Sequence, residues 1–331
     1  MFKDAVRAGL AALLVFAALP ALAEWKPTRP VEFIVTAGPG GGTDQFARTV
    51  QAIITKYKLM DQPVVVLNKG GGSGAEGFVA GKSAAGDPHK LVFATSNEWM
   101  LPLVAKLAYK HSDLRPVAAM ALDEFVLWVK ADAGHKDAAS YITAARANPS
   151  ALKMGGSQSK DVDQLLTRLL EKSAEIKFTY IPFKSGAEAS VQLAGGHIDS
   201  NTNNPSESVG QWKAGVVRPL CVFSPQRMAA GPRVTDTESW ADVPTCKEAG
   251  LALEQYQMPR TVFTPDRVSD EVVAYYGNVL RQVREKPEWQ EYLSRTAQTD
   301  RFLDAGQLAA FIAEDEAKAR TIFREEGWLV N

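Results

Sequence analysis

An α/β fold built from two units is what this chain predicts, on three observations. Strand-like apolar runs alternate with amphipathic helical segments over most of its length, the pattern of a parallel sheet covered by helices. A strand, a small-residue turn and a helix start follow one another twice, at 31–50 and again at 152–172. At 331 residues the chain also exceeds what one hydrophobic core usually organises.

The elements follow in order. Met1–Ala23 has a charged start (Lys3, Arg7), an apolar run from Leu10 to Leu19 and small residues at 21–23. This is the pattern of a secretory leader removed before Glu24; the apolar run is shorter than the roughly 20 residues a membrane span needs. No cysteine follows the cleavage point to carry a lipid. Val31–Thr36 is a strand. Thr43–Lys58 is a helix, because Phe46, Ala47, Val50, Ile53, Ile54 and Tyr57 recur with a 3.6-residue period. A second strand at 63–68 runs into the glycine cluster 70–74, and a third at 90–97 ends in Thr95, Ser96 and Asn97. The stretch 123–132 begins the second unit. A helix at 141–151 stops near Pro149, and 152–172 repeats strand, loop and helix. Short strands fall in 178–183, 196–204 and 217–223. Beyond Phe223 the chain is less regular until a helical region from Ser269, broken at Glu285-Lys286-Pro287. The predicted organisation is one lobe of 24–122 with 224–331, a second of 123–223, and crossing strands near 121–124 and 220–224.

Composition and motifs exclude more than they select. With 37 Lys+Arg against 38 Asp+Glu there is no electrostatic footprint for nucleic acid. The turn Gly38-Pro39-Gly40-Gly41-Gly42 misses the dinucleotide fingerprint: Thr43 stands where the last glycine belongs, and the second strand ends in Asn68, not an acid. No Lys-Ser/Thr pair follows, so it is no nucleotide P-loop. Gly71–Ala75 fails the nucleophile elbow at its last residue. His89, His111, His135 and His197 are scattered and form no metal-binding pattern. No catalytic residue, metal or cofactor is therefore assigned. What remains is anion binding. Gly38, Gly40, Gly41 and Gly42 leave backbone N–H groups open at a helix start, capped by Thr43 or Asp44. Gly156, Ser157, Gln158, Ser159 and Lys160 make a second such loop, with Asp161 and Gln164 as a capping pair. Lys160 either pairs with a second anionic group or is a solvated lysine. Two anion loops on two units place a ligand between lobes. Cys221 and Cys246 are either two buried thiols or a disulfide; an exported chain meets an oxidising compartment, which favours the bridge.

Five stretches, "RPVEFIVTAGPGGGTD", "QPVVVLNKGGGSG", "LKMGGSQSKDVDQLL", "YIPFKSGAEASVQLAGGHID" and "VPTCKEAGL", resemble the Bug-type substrate-binding proteins of tripartite tricarboxylate transporters, in collinear order from Trp25 to about Phe323. The resemblance implies a two-lobed periplasmic binding protein of type II topology, closing over an organic acid. It also implies delivery to a membrane permease of one large and one small subunit. Thr36, Ala37 and the residues through Asp44 match the family's first carboxylate loop, Gly155–Lys160 its second-lobe loop. Thr95-Ser96-Asn97 match the strand end facing the cleft, and Phe183 an aromatic beside the site. Two departures stand out. Asn203 replaces an acid that suits a ligand ammonium, which argues against an amino-acid ligand. Lys160 replaces a small polar residue, which favours a dianion. The expectation is a monomeric periplasmic protein, not an enzyme, that captures a dicarboxylate or an aromatic acid. A chemosensory receptor for the same acid, and an exported enzyme acting on it, are the alternatives.

Overall fold

The computed structural model describes residues 25–330; the leader expected at 1–23 lies outside the described residues. β1 (Val31–Val35), β2 (Val64–Asn68) and β3 (Lys90–Ala94) are parallel, with β1 between the other two. Parallel neighbours need crossover helices, here α1 (Gly42–Tyr57) and α2 (Ala75–Ser83). Alternation within β1 does the sorting. Val31, Phe33 and Val35 pack with Phe46, Val50 and Ile53 of α1, while Ile34 packs with Phe78 of α2 on the opposite face. Both faces are thereby covered, as a parallel sheet requires.

Three antiparallel strands complete this sheet: β4 (Leu114–Glu124), which follows α3 (Asn97–Val104), β10 (Gln257–Pro265) and β11 (Thr299–Asp304). The order is β11-β4-β10-β3-β1-β2. The sequence pattern predicts neither β10 nor β11, and of β4 only a crossing strand near 121–124. β10 is buried along nearly its whole length, so it lacks alternation, and Pro259 and Pro265 argue against a central strand. The helices α8 (Asp270–Arg284) and α9 (Pro287–Thr296) flank the α1 face, and α10 (Ala305–Glu325) the other. Pro287 separates α8 from α9 and starts the second helix, where its missing N–H is harmless.

The second sheet, β7-β6-β8-β5-β9, holds β5 (Val126–Lys130), β6 (Lys153–Ser157), β7 (Thr179–Phe183), β8 (Ser200–Asn203) and β9 (Val217–Val222). Its helices are α4 (Ala138–Ala147), α5 (Val162–Ala174), α6 (Gly186–Ala194) and α7 (Pro205–Lys213). Only Phe125 separates β4 from β5. Phe223 N–H donates to Phe125 O at 2.8 Å, and the chain beyond it is irregular. Thr245 bridges to Val222, Trp240 packs on Trp128 and Trp212 at ring distances of 6.0 and 4.7 Å, and the first sheet resumes only at Gln257. Among the described residues no helix is long and apolar enough to cross a membrane.

Cys221 of β9 and Cys246 are joined in a disulfide, as expected, and it ties this irregular segment to the second sheet. For a separation of 25 residues the cross-link should add about 3–4 kcal/mol. Urea unfolding with and without reductant measures this. Coincident midpoints, or two alkylatable thiols in the non-reduced protein, would refute it.

Candidate functional site

The first glycine loop is braced from inside. Asp44 is buried; its Oδ2 accepts the Gly40 N–H at 2.8 Å, and Oδ1 accepts from Asn68 Nδ2 and from Arg48 Nε at 2.9 Å. Burial pushes this carboxyl up, but the Gly40, Arg48 and Asn68 donors outweigh it and hold the group below the usual carboxylate range. Asp44 thus shapes the loop instead of capping it: the helix N-cap is Gly41, without a side-chain bond. The Thr36 hydroxyl likewise points inward and donates to Phe93 O at 3.0 Å, and Ala37 O accepts from Asn68 Nδ2 at 3.0 Å. Gly41 N–H closes on Gly38 O at 3.2 Å. The amides of Gly42, Thr43 and Asp44 are the first of α1, and no carbonyl of their own helix can reach them.

The second glycine cluster supports the first. A methyl group on Gly70 would lie 2.7 Å from the backbone of Ala37 and Gly38, so the two turns pack main chain on main chain. Asn97 Nδ2 donates to Ser73 O at 2.8 Å, and the Thr95 hydroxyl donates to Asn97 Oδ1 at 2.9 Å. Thr95, the buried Ser96 and Asn97 therefore stand beneath the 70–74 turn.

On the second sheet, Gln158 (φ 46°) and Lys160 (φ 62°) occupy the left-handed region without being glycine, at a cost on the order of 1–3 kcal/mol each. Surrounding bonds hold them there. Gln158 N–H donates to Phe183 O at 2.7 Å, Lys160 N–H to Gln164 Oε1 at 2.6 Å, and Ser157 N–H to Asp163 Oδ2 at 2.6 Å. Gln164 also accepts from the Ser159 hydroxyl at 3.3 Å, so it anchors the loop, while the Asp161 carboxylate accepts Val162 N–H at 2.8 Å at the start of α5. Gly156 has no room for a side chain, which would overlap Tyr180 Oη and Asp163 Cβ. The half-buried Phe183 ring lies over Gly155 and packs into the core beside Ile198. Across the cleft, the Ser73 hydroxyl donates to Gln158 Oε1: the loops of the two lobes touch. Asn203 is buried and fully engaged, donating to Gly186 O at 2.7 Å and accepting from Asn204 N–H at 2.9 Å. Its amide ties the starts of α6 and α7 together.

Two residues that sequence reasoning passed over stand at this junction. Arg260 of β10 is buried with its Nε on Asp123 Oδ1 at 3.1 Å, its Nη2 paired with Asp123 Oδ2 and its Nη1 on the Thr43 hydroxyl at 3.0 Å. A methyl on Gly42 would come within 2.6 Å of Nη2. A guanidinium therefore stands directly against the first turn of α1. One signal for it existed: an arginine inside the apolar run 258–263. Glu207, in the first turn of α7, faces it from the other lobe. Burial pushes its carboxyl up to about 7, against the pull of Arg260. It looks in the sequence like any first-turn acid. Among the described residues, no cluster of His, Cys, Asp and Glu is arranged to hold a metal.

Two α/β lobes closing on a cleft lined by helix starts are the architecture of a solute-binding protein, and the comparisons agree. The model of the tripartite tricarboxylate transporter family receptor matches residues 46–328, and the chain belongs to that family. BugT of Bordetella pertussis strain Tohama I is 26% identical over 318 residues, covering 94% of this chain and 93% of BugT. Among solved structures, a Rhodopseudomonas palustris protein with adipate superposes with a TM-score of 0.77 at 22% identity, over 91% of this chain and 98% of the other. MatC from the same organism, with bound malate, gives 0.73 at 22% identity over 89% and 99%. At such identities the likeness shows the fold.

Proposed function

We propose that this protein is a periplasmic solute-binding protein that captures a small organic acid and presents it to a membrane permease of one large and one small subunit. The observation that carries this is the first turn of α1, where the helix-start amides and the Arg260 guanidinium converge beside a contact between the two lobes. A carboxylate is the ligand such a place suits, since it accepts several donors at once and needs no metal. Lobe one comprises the β1–β4, β10 and β11 sheet with its helices, and lobe two the β5–β9 sheet; the chain passes between them at Phe125 and in 223–257. Binding would draw the lobes together, and the closed form is what a permease would read.

A thermal-shift screen of organic acids tests this, because a ligand at a hundred times its Kd stabilises by about 2.7 kcal/mol. For the acids that bind, Gly42→Val should weaken affinity about a hundredfold or more. The side chain would overlap Arg260 and cover the helix-start amides, and each charge-assisted bond lost is worth about 1.5–3 kcal/mol. Calorimetry on the folded variant reads the change, and unaltered affinity would move the site elsewhere.

A further inference from the structure

Glu207 has no hydrogen bond to either carboxylate oxygen among the described residues, yet it lies in the junction of the two lobes. Its position is set from both sides. A methyl on Gly186, the first residue of α6, would overlap Glu207 Oε2 and Asn203 Oδ1, so the carboxylate lies directly over the start of that helix. The charges acting on it are Arg260 and Asp123 from the first lobe and Asp163 of α5 from its own. Arg260 is already matched: Asp123 engages two of its nitrogens and Thr43 the third. Of the four groups, the arginine and Asp123 cancel, and Glu207 and Asp163 remain as acids. Asp163 in turn is held by the Ser157 N–H. Lys160, on the rim of the same lobe, forms no ion pair among the described residues.

The cleft is thus polar in a definite direction. Its first-lobe side offers the amides at the start of α1, with the Asp123-paired Arg260 guanidinium behind them. Its second-lobe side carries the protein's own carboxylate, Glu207, over the start of α6. A second carboxylate of a ligand would meet Glu207 at close range, where like charges repel. A donor would meet a ready acceptor. Burial that pushes the Glu207 carboxyl up to about 7 would be reversed by a cation placed against it, so such a ligand gains what the unliganded site lacks.

We infer that Glu207 is a specificity-determining residue, and that the ligand is a zwitterion: a carboxylate at the start of α1 and a protonated amine at Glu207. This rests on the solute-binding reading above and reverses the expectation drawn from Asn203, whose amide is engaged within its own lobe. The test is calorimetry of α-, β- and γ-amino acids, each paired with its deaminated acid, such as aspartate with succinate and glutamate with glutarate. In the wild type the preferred amino acid should bind at least tenfold more tightly than its deaminated partner. Glu207→Gln, nearly isosteric, should lower amino-acid affinity at least tenfold and leave the deaminated acid unchanged or tighter. Glu207→Asp, which keeps the charge and retracts it, should fall between. Preference for the deaminated acids in the wild type overturns the inference while leaving the solute-binding reading intact. Equal losses for both partners in Glu207→Gln would show a merely structural residue and overturn it too. Absence of binding by every acid in the panel would overturn both.

Discussion

Arg260→Met is expected to destabilise the protein by about 3–5 kcal/mol, the usual loss when one member of a buried ion pair is removed. The loss would not come from the missing attraction alone. Asp123 is buried beneath the cleft, and with the guanidinium gone its charge would keep only the Gln298 amide and what polar atoms stand nearby. Arg260→Met with Asp123→Asn should therefore recover most of the stability, because the second change removes the stranded charge. The double variant should not recover binding, since the cation beside the start of α1 is still absent. Urea unfolding of the three variants reads the first effect and calorimetry the second. A single variant within 1 kcal/mol of wild type, or a double variant less stable than the single, would show that the pair does not hold the floor of the cleft.

The second large effect is on stability against pH. Burial raises Glu98, although His111 beside it opposes this. It raises Glu124 to about 7 against bonds from Thr299 and Gln257, and Asp315 to about 6 against the Trp99 indole. Burial also raises Asp161 and Asp163. His111 is raised as well, since its contact with Glu98 overcomes its own burial. Each of these groups binds its proton more tightly folded than unfolded, so stability declines as pH climbs from about 4.5 towards 7. Glu124 alone, carried from 4.5 to about 7, corresponds to about 3 kcal/mol at 1.4 kcal/mol per tenfold change. Asp44, Asp87 and Asp113 are held below the usual range by their donors, so their contribution disappears only at still lower pH. The melting temperature should accordingly be highest at about pH 4.5 or just below and fall by pH 8. Glu124→Gln should flatten that slope. A profile that rises between pH 5 and 8 would contradict the assignment.

Much of the first lobe could be read residue by residue. The apolar face of α1 recurs every 3.6 positions, and the glycine turns at 38–42 and 70–74 stand out by composition alone. That the second turn lies under the first was not legible, because it depends on β2 lying next to β1 and bringing Gly70 against Ala37. β10 was missed for a related reason. A strand covered on both faces shows no alternation, and nothing within it tells that β3 and β4 will lie on either side.

The cleft divides along the same line. Its backbone donors follow from short stretches, since a glycine turn before a helix leaves amides unbonded wherever that helix is placed. Its charges do not. Thr43 receives Arg260 from 217 residues away, and Ser73 reaches Gln158 across 85. Asp44, a cap or ligand contact by its position in the sequence, became an internal brace once Asn68 arrived beside it on β2. Glu207 acquired its place only when α6 and α7 were set side by side through Asn203. Periodicity and turn chemistry act between near neighbours and are written in local order. The partner of a buried charge is chosen by how the strands are ordered, and that order exists only in the folded chain.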